Sequence, residues 1–316
     1  MAEKAAQFSA HVRQEMSRAI VGQDEPIREI LAVLLAGGHA LLEGVPGIAK
    51  TLAVKVLARI CRLDFQRIQC TPDLMPADIL GVNVYSMTTG AFSLRRGPVF
   101  TSLLLVDEVN RMPPRTQAAL LECMEERQVT IDGARHPLTE FFTVFATQNP
   151  VEFEGTYPLP EAQLDRFLLK IRISYPGVDH EVELLDRYQN GFDAHDLDKL
   201  GLLPLETETL AAARQEVAAV RVEPALLRYI STVVRRTRDW PALSLGGSPR
   251  ATVNLMLAAK AFAALDGRDY LIPDDVKAAA PPVLRHRLMV KPEADLEGIT
   301  PDRVVAEVLA GVEVPK

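Results

Sequence analysis

Gly44-Val45-Pro46-Gly47-Ile48-Ala49-Lys50-Thr51 follows the apolar run Ala40-Leu41-Leu42 and leads into a helical pattern that opens with Leu52. A short strand, a glycine-bearing loop and a helix, in that order, make a cradle for phosphate. The loop and the first helical turn direct backbone N–H groups at an anion. Lys50 is placed to reach terminal phosphates, and the Thr51 hydroxyl to ligate Mg²⁺. The stretch departs from the general phosphate loop at one position, where Ala49 stands in place of the glycine before the lysine. An alanine methyl is small enough to permit close backbone approach if its φ is negative. Taken alone, the stretch also fits a glycine turn that caps a helix.

Further along, Leu103-Leu104-Leu105-Val106 is fully apolar and ends in Asp107-Glu108. Two acids at the carboxyl edge of a buried strand lie where ligands sit in open α/β sheets. Asp107 is expected to hold Mg²⁺ through its water shell, and Glu108 to orient and polarise an attacking water. A solvated acidic turn explains a lone acid well, but explains less well a pair that follows Lys50 across a helix and a strand. A later run, Phe142 to Thr147, ends in Gln148-Asn149-Pro150. The Asn149 amide at that tip can hydrogen-bond the same water or the terminal phosphate, although Asn before Pro is also a turn signal.

Two arginines stand in informative settings. Arg166 closes Leu159-Pro160-Glu161-Ala162-Gln163-Leu164-Asp165-Arg166, just before the last apolar run, and Arg250 follows Gly246-Gly247-Ser248-Pro249 at a helix start. An arginine can neutralise charge that builds during phosphoryl transfer, often from a neighbouring molecule. The plain alternatives are surface arginines, or an Asp165–Arg166 ion pair. Spacing does not say whether either acts within its own subunit.

The chain changes rhythm midway. Ala40 to Leu42, Phe65 to Ile68, Leu103 to Val106, Phe142 to Ala146 and Phe167 to Ile173 are strand candidates separated by helical patterns or loops. That alternation predicts a parallel sheet covered by helices on both faces. After Pro176-Gly177 the strands fade, and His180 to Gln189, Thr207 to Val220, Glu223 to Arg238, Ser248 to Leu265 and Pro273 to Leu284 read as amphipathic helices. The expected division is 1–176 nucleotide-binding core, 177–191 linker and 192–316 helical lid.

Composition narrows the function classes. A formal net charge of -7 provides no global field to attract nucleic acid or an anionic membrane. The 3 cysteines, Cys61, Cys70 and Cys123, are an odd and widely spaced set, which argues against a disulfide framework or a zinc knuckle and suits a reducing cytoplasm. Met1 to Ser17 lacks the apolar stretch of a signal peptide, and runs such as Ile30 to Ala36 are too short to span a bilayer. The expectation is a soluble protein that is not exported.

Val21-Gly22-Gln23, Glu43 to Thr51, Val106-Asp107-Glu108-Val109-Asn110-Arg111, Ala146 to Pro150, Gly155 to Phe167 and Ser248-Pro249-Arg250 occur in the order found in the MoxR family. The chain resembles that family over nearly its whole length, and Ala49 is usual there. The resemblance implies an α/β fold: a P-loop AAA+ core with a five-stranded parallel sheet, then an all-α lid. It implies ATP and Mg²⁺ as ligands, with Val21, Gly22 and Gln23 near the adenine and Gly44 to Leu52 around the phosphates. It makes Asn149 the first sensor, Arg166 the arginine finger and Arg250 the second-sensor arginine. Two hairpin insertions mark the branch shared with magnesium chelatase ATPase subunits and are expected to face a ring pore. One is Val82 to Arg95, set in the second core helix and turning at Thr88-Thr89-Gly90. The other is Val129 to Pro137, turning at Ile131-Asp132-Gly133-Ala134, although both also read as ordinary decoration. The family implies a six-membered homo-oligomeric ring, a protein client matured in a chaperone-like way, and a von Willebrand factor A domain partner, expected on a separate protein. A nucleic-acid motor is disfavoured by the acidic balance. A nucleotide-switched scaffold is disfavoured by the presence of both Asp107 and Glu108.

Overall fold

The computed structural model describes residues 2–88, 90–150, 155–194 and 196–315. Two helices, α1 (Glu3–Met16) and α2 (Asp24–Ala36), precede the sheet. The chain then forms β1 (Ala40–Glu43), α3 (Lys50–Ile60), β2 (Phe65–Gln69), α4 (Pro76–Leu80), β3 (Gly81–Ser86), β4 (Ala91–Arg96) and β5 (Leu103–Asp107). A single 3₁₀ turn (Val109–Arg111) leads to α5 (Pro114–Glu126), β6 (Gln128–Ile131), β7 (Ala134–Pro137), β8 (Thr143–Gln148), α6 (Glu161–Leu164) and β9 (Leu169–Arg172).

The five expected strands form one parallel sheet in the order β2-β5-β8-β1-β9. Residues alternate between its faces, as the strand period of two requires. Leu103 and Leu105 enter the core shared with α1 to α3, while Leu104 and Val106 enter the one beneath α5. Every residue of β5 is buried, which is why its sequence is apolar without alternation. The strand expected from Phe167 begins only at Leu169, because Phe167 and Leu168 still belong to the turn after α6.

Beyond β9 lie α7 (Val178–Gln189), α8 (Thr207–Ala219), α9 (Pro224–Arg238), β10 (Leu243–Leu245), α10 (Pro249–Leu265), α11 (Pro273–Leu284), β11 (Met289–Val290), α12 (Pro292–Leu296) and α13 (Pro301–Gly311). The start of α11 has a physical basis: Asp275, in its first turn, accepts from the Ile272 N–H at 2.9 Å and from Arg268. The N-terminal helices pack against this helical layer as well as the sheet, and Glu216 of α8 accepts from the Ala5 N–H at 2.9 Å. The segment expected as a linker is occupied by α7, none of whose residues is buried.

Both hairpins are present. The β3–β4 hairpin follows the five-residue α4, and among the described residues no helix resumes after it, so it prolongs a short helix instead of interrupting a long one. Its neck is tight: a Cβ on Gly97 would lie 2.6 Å from the Gly81 nitrogen. Thr89 in its turn lies outside the described residues. Asp132 and Gly133 connect β6 to β7 with φ of 48° and 80°, the paired positive values of a two-residue hairpin turn. Asn83 donates to Asp132 at 2.8 Å and joins the two hairpins.

Candidate active site

The carboxyl ends of β5 and β8, the loop after β1 and the start of α3 enclose a cleft of about 880 Å³. Pro46 to Leu52, Asp107, Glu108, Thr147 and Asn149 line it, together with Val21 and Gln23. Its volume lies within the range of ligand sites, roughly 300–1,000 Å³. Gly44 and Val45 stand behind the wall, where their carbonyls accept from the Lys50 ammonium, at 3.2 Å for Val45. A Cβ on Gly44 would meet the Ile173 carbonyl at 2.5 Å, so only glycine lets the loop lie this close to β9. A Cβ on Gly47 would meet nothing within 4 Å, so the hollow of the loop is open.

Ala49 does not meet the condition of a negative φ: its φ is +63°. The chain must enter α3 from a left-handed residue, the conformation that the usual glycine supplies freely and that costs an L-residue about 1–2 kcal/mol. Glu108 also has a positive φ, 58°. Two non-glycine residues in the left-handed region thus border one cleft, as strained backbone often does at functional sites.

The acid pair is held from several sides. The Thr147 hydroxyl donates to Asp107 at 3.2 Å and accepts from the Glu108 N–H at 2.9 Å. Thr51 Oγ1 lies 3.4 Å from Asp107 Oδ2. A hydroxyl and a carboxylate at that separation are a fitting donor set for Mg²⁺, which takes few protein oxygens and keeps several waters. Arg67 and Gln69, which sequence reasoning missed, complete the group. Arg67 Nε donates to Asp107 Oδ2 at 2.6 Å, and Gln69 Nε2 to Glu108 Oε2 at 3.1 Å. Arg111 pairs with the same Glu108 oxygen at 3.2 Å. The available signal was Arg67 and Gln69 two apart on one strand, hence on one face, but their partners, Asp107 at the end of β5 and Glu108 just beyond it, come opposite only through the sheet register. Cys70, behind the pair, has its thiol pushed up to about 12 by burial and then by the two carboxylates, so it is no nucleophile.

The other wall was also missed. His180, Leu184 and Tyr188 of α7 line the cleft opposite Ile20, Val21 and Gln23. Gly22 lies outside the lining: a Cβ there would approach the His180 ring to 2.7 Å, so the bend at Gly22 (φ +70°) lets the two segments meet. Gln23 donates to the Ser174 carbonyl at 3.0 Å and ties the same segments together.

Arg166 and Arg250 are absent from the cleft lining. They meet elsewhere, on the carboxylate of Glu125 near the end of α5. Arg166 Nε is 3.7 Å from Oε2, and Arg250 pairs with Oε1. The Asp165–Arg166 ion pair does not form. Asp165 instead binds buried Arg287 at 2.6 Å and the Ser248 hydroxyl at 2.9 Å. Burial lowers the Arg287 guanidinium to about 10, and Asp165 works against that shift.

Comparison with known proteins agrees with this arrangement. The model of the ATPase family associated with various cellular activities (AAA) matches residues 39–169, and that of the AAA lid domain matches residues 235–308. The chain is 46% identical over 302 residues to the Bacillus subtilis protein YeaC, covering 96% of this chain and 93% of that one. It is 43% identical over 317 residues to the chaperone MoxR1 of Mycobacterium tuberculosis, covering 96% and 81%. A crystal structure of a Cytophaga hutchinsonii protein superposes with a TM-score of 0.89 at 41% identity, covering 99% of this chain and 98% of the other. With a phosphate loop, an acid pair and a polar strand tip around one cleft, and with relatives of this identity along almost its full length, the chain belongs to the MoxR family of AAA+ ATPases and is an ATP-hydrolysing enzyme.

Proposed function

We propose that ATP bound in the cleft is hydrolysed at the junction between two copies of this chain in a six-membered ring, and that the cycle remodels a protein client. The observation that carries the reading is the separation of parts. Lys50, Thr51, Asp107, Glu108 and Asn149 share one cleft, whereas Arg166 and Arg250 are gathered outside it. A ring contact brings the arginine face of one copy to the phosphate face of the next.

In this mechanism Lys50 exchanges loop carbonyls for phosphate oxygens. Thr51 and Asp107 would hold Mg²⁺, which would supply positive charge against the phosphates. Glu108 orients the attacking water and accepts its proton as the water oxygen bonds to the terminal phosphorus and the bond to ADP breaks. Asn149 hydrogen-bonds that water or the phosphate. Arg166 and Arg250 of the adjoining copy stabilise the charge that develops. Val21 and Gln23, across from Leu184 and Tyr188, receive the adenine.

The 43% identity to a protein named a chaperone supports a protein client, and the family resemblance supports a von Willebrand factor A domain partner. The β3–β4 hairpin is the proposed client contact, because Met87 and Phe92 are 94% and 72% exposed on it. Three free, buried cysteines suit the cytoplasm. No helix among the described residues is long and apolar enough to cross a membrane.

The test is the specific ATPase activity against protein concentration, with assembly followed by light scattering. A junction site requires activity per subunit to rise as rings form. A flat activity across the assembly transition contradicts it. Shortening the β3–β4 hairpin to a tight turn is expected to spare basal activity and weaken client engagement; full cellular function in that variant would leave the hairpin without this role.

A further inference from the structure

Arg166 and Arg250 come from separate parts of the chain, one in the turn after α6 and the other in the first turn of α10. Their backbones are fixed to each other by neighbouring residues. Asp165 accepts from the Ser248 hydroxyl at 2.9 Å, and Arg287 clasps Asp165 at 2.6 Å while donating to the carbonyls of Asp165 and Leu168 at 3.1 and 3.3 Å. What remains is the direction of the two long side chains. Two guanidiniums gathered on one carboxylate repel each other. One carboxylate counters this, because each Glu125 oxygen faces one arginine. Arg166 Nε makes no hydrogen bond and is held at 3.7 Å by charge alone, so its direction depends on Glu125. The three groups sum to one surplus positive charge. The side chains are 31%, 43% and 36% exposed for Arg166, Arg250 and Glu125, so an anion can reach the pair from outside.

We infer that Glu125 is a positioning residue, which holds Arg166 and Arg250 together as a two-arginine clamp for the terminal phosphate of a nucleotide bound to an adjoining copy. The inference rests on the junction reading given above. Two planar guanidiniums presented together match the several oxygens of a phosphate, which makes their mutual orientation the quantity that matters. In this role Glu125 itself is given no contact with the nucleotide or the attacking water. Its effect passes through the arginines, and misplacement by about 1 Å costs on the order of 10²-fold in rate.

The experiment uses the full chain at ring-forming concentration with Mg-ATP. Glu125→Gln and Glu125→Ala are expected to lower kcat by about 10²-fold with KM nearly unchanged, while assembly and the melting temperature stay as in the wild type. In an Arg166→Ala/Arg250→Ala background, adding Glu125→Ala should change nothing further. Mixing then assigns Glu125 to a face. Glu125→Ala mixed with Lys50→Ala should recover activity, since some junctions join an intact phosphate loop to an intact clamp. Glu125→Ala mixed with Arg166→Ala should not recover. Full or raised kcat in the Glu125 variants, or recovery in that last mixture, overturns the proposal while leaving the junction reading intact. If Arg166→Ala mixed with Lys50→Ala stays silent despite subunit exchange, the junction reading itself fails and the clamp falls with it.

Discussion

The phosphate cleft and the arginine cluster solve opposite charge problems. In the cleft Lys50 rests on loop carbonyls and Arg67 on Asp107, and Arg111 just outside it pairs with Glu108. In the cluster, two guanidiniums share one carboxylate, and positive charge is left over at an accessible surface. The cleft can therefore hold itself together in a lone subunit. The cluster has its surplus turned outward, toward an anion that its own chain does not place there. On the junction reading proposed above, the two regions are half-sites, and each subunit would carry one half of two different sites.

The largest effect should come from the cluster. Arg166→Ala is expected to bind a fluorescent ATP analogue with unchanged affinity while hydrolysis falls by roughly 10³–10⁵-fold, the scale of fingers in phosphoryl transfer. Lost affinity in that variant would place Arg166 within its own subunit's binding machinery and dissolve the contrast. Glu108→Gln sits on the other side. It should keep both ATP affinity and assembly, and lose about 10²–10⁴-fold in turnover, because the amide keeps the shape but does not take up a proton. Wild-type turnover from it would remove Glu108 from the mechanism.

A smaller effect concerns the stitch between the two regions. Buried His39 accepts the Val144 N–H at its Nδ1 (2.9 Å) and places Nε2 3.1 Å from the Met124 carbonyl, next to Glu125. That pattern requires a neutral ring protonated at Nε2, and burial accordingly lowers the pKa from 6.5 to about 4. The folded pKa lies below the unfolded one. The stabilisation is therefore fully present above about pH 6.5 and is lost as pH falls toward 4, about 3 kcal/mol over the whole window. At pH 5.5, NMR of the imidazoles should show His39 still neutral; a His39 that titrates near 6.5 would contradict the assignment. The smallest effect lies in the loop. Ala49→Gly relieves a left-handed alanine, worth about 1–2 kcal/mol, but adds about 0.4–1 kcal/mol of unfolded-chain entropy. Denaturant titration should show a gain between about zero and about 1.5 kcal/mol. A loss would mean that the methyl packs productively.

The two regions also differ in how far sequence discloses them. The five strands, the phosphate loop and the Asp132-Gly133 turn were legible because each rests on local pattern: apolar runs, glycine placement and an Asp-Gly pair between short runs. Asp107, Glu108 and Asn149 were legible because strand ends carry ligands in such sheets. Arg67 and Gln69 were hidden because strand pairing, not spacing, sets them against the acids. The helix at α7 was legible in its amphipathic pattern, but its role as a cleft wall was hidden, because nothing in that pattern names the surface it faces. Glu125 was hidden most fully. In Met124-Glu125-Glu126 nothing separates it from an ordinary solvent-facing acid, and only the fold brings two distant arginines to it.

The most direct measurement of the divided site is the ATPase rate of a mixture of Arg166→Ala and Lys50→Ala. The first keeps an intact cleft and the second an intact cluster, and each alone should be nearly inactive. Mixed rings contain some junctions with both halves whole, so activity should reappear and peak near equal proportions. Continued silence, with subunit exchange verified, would mean that Arg166 does not act across a junction.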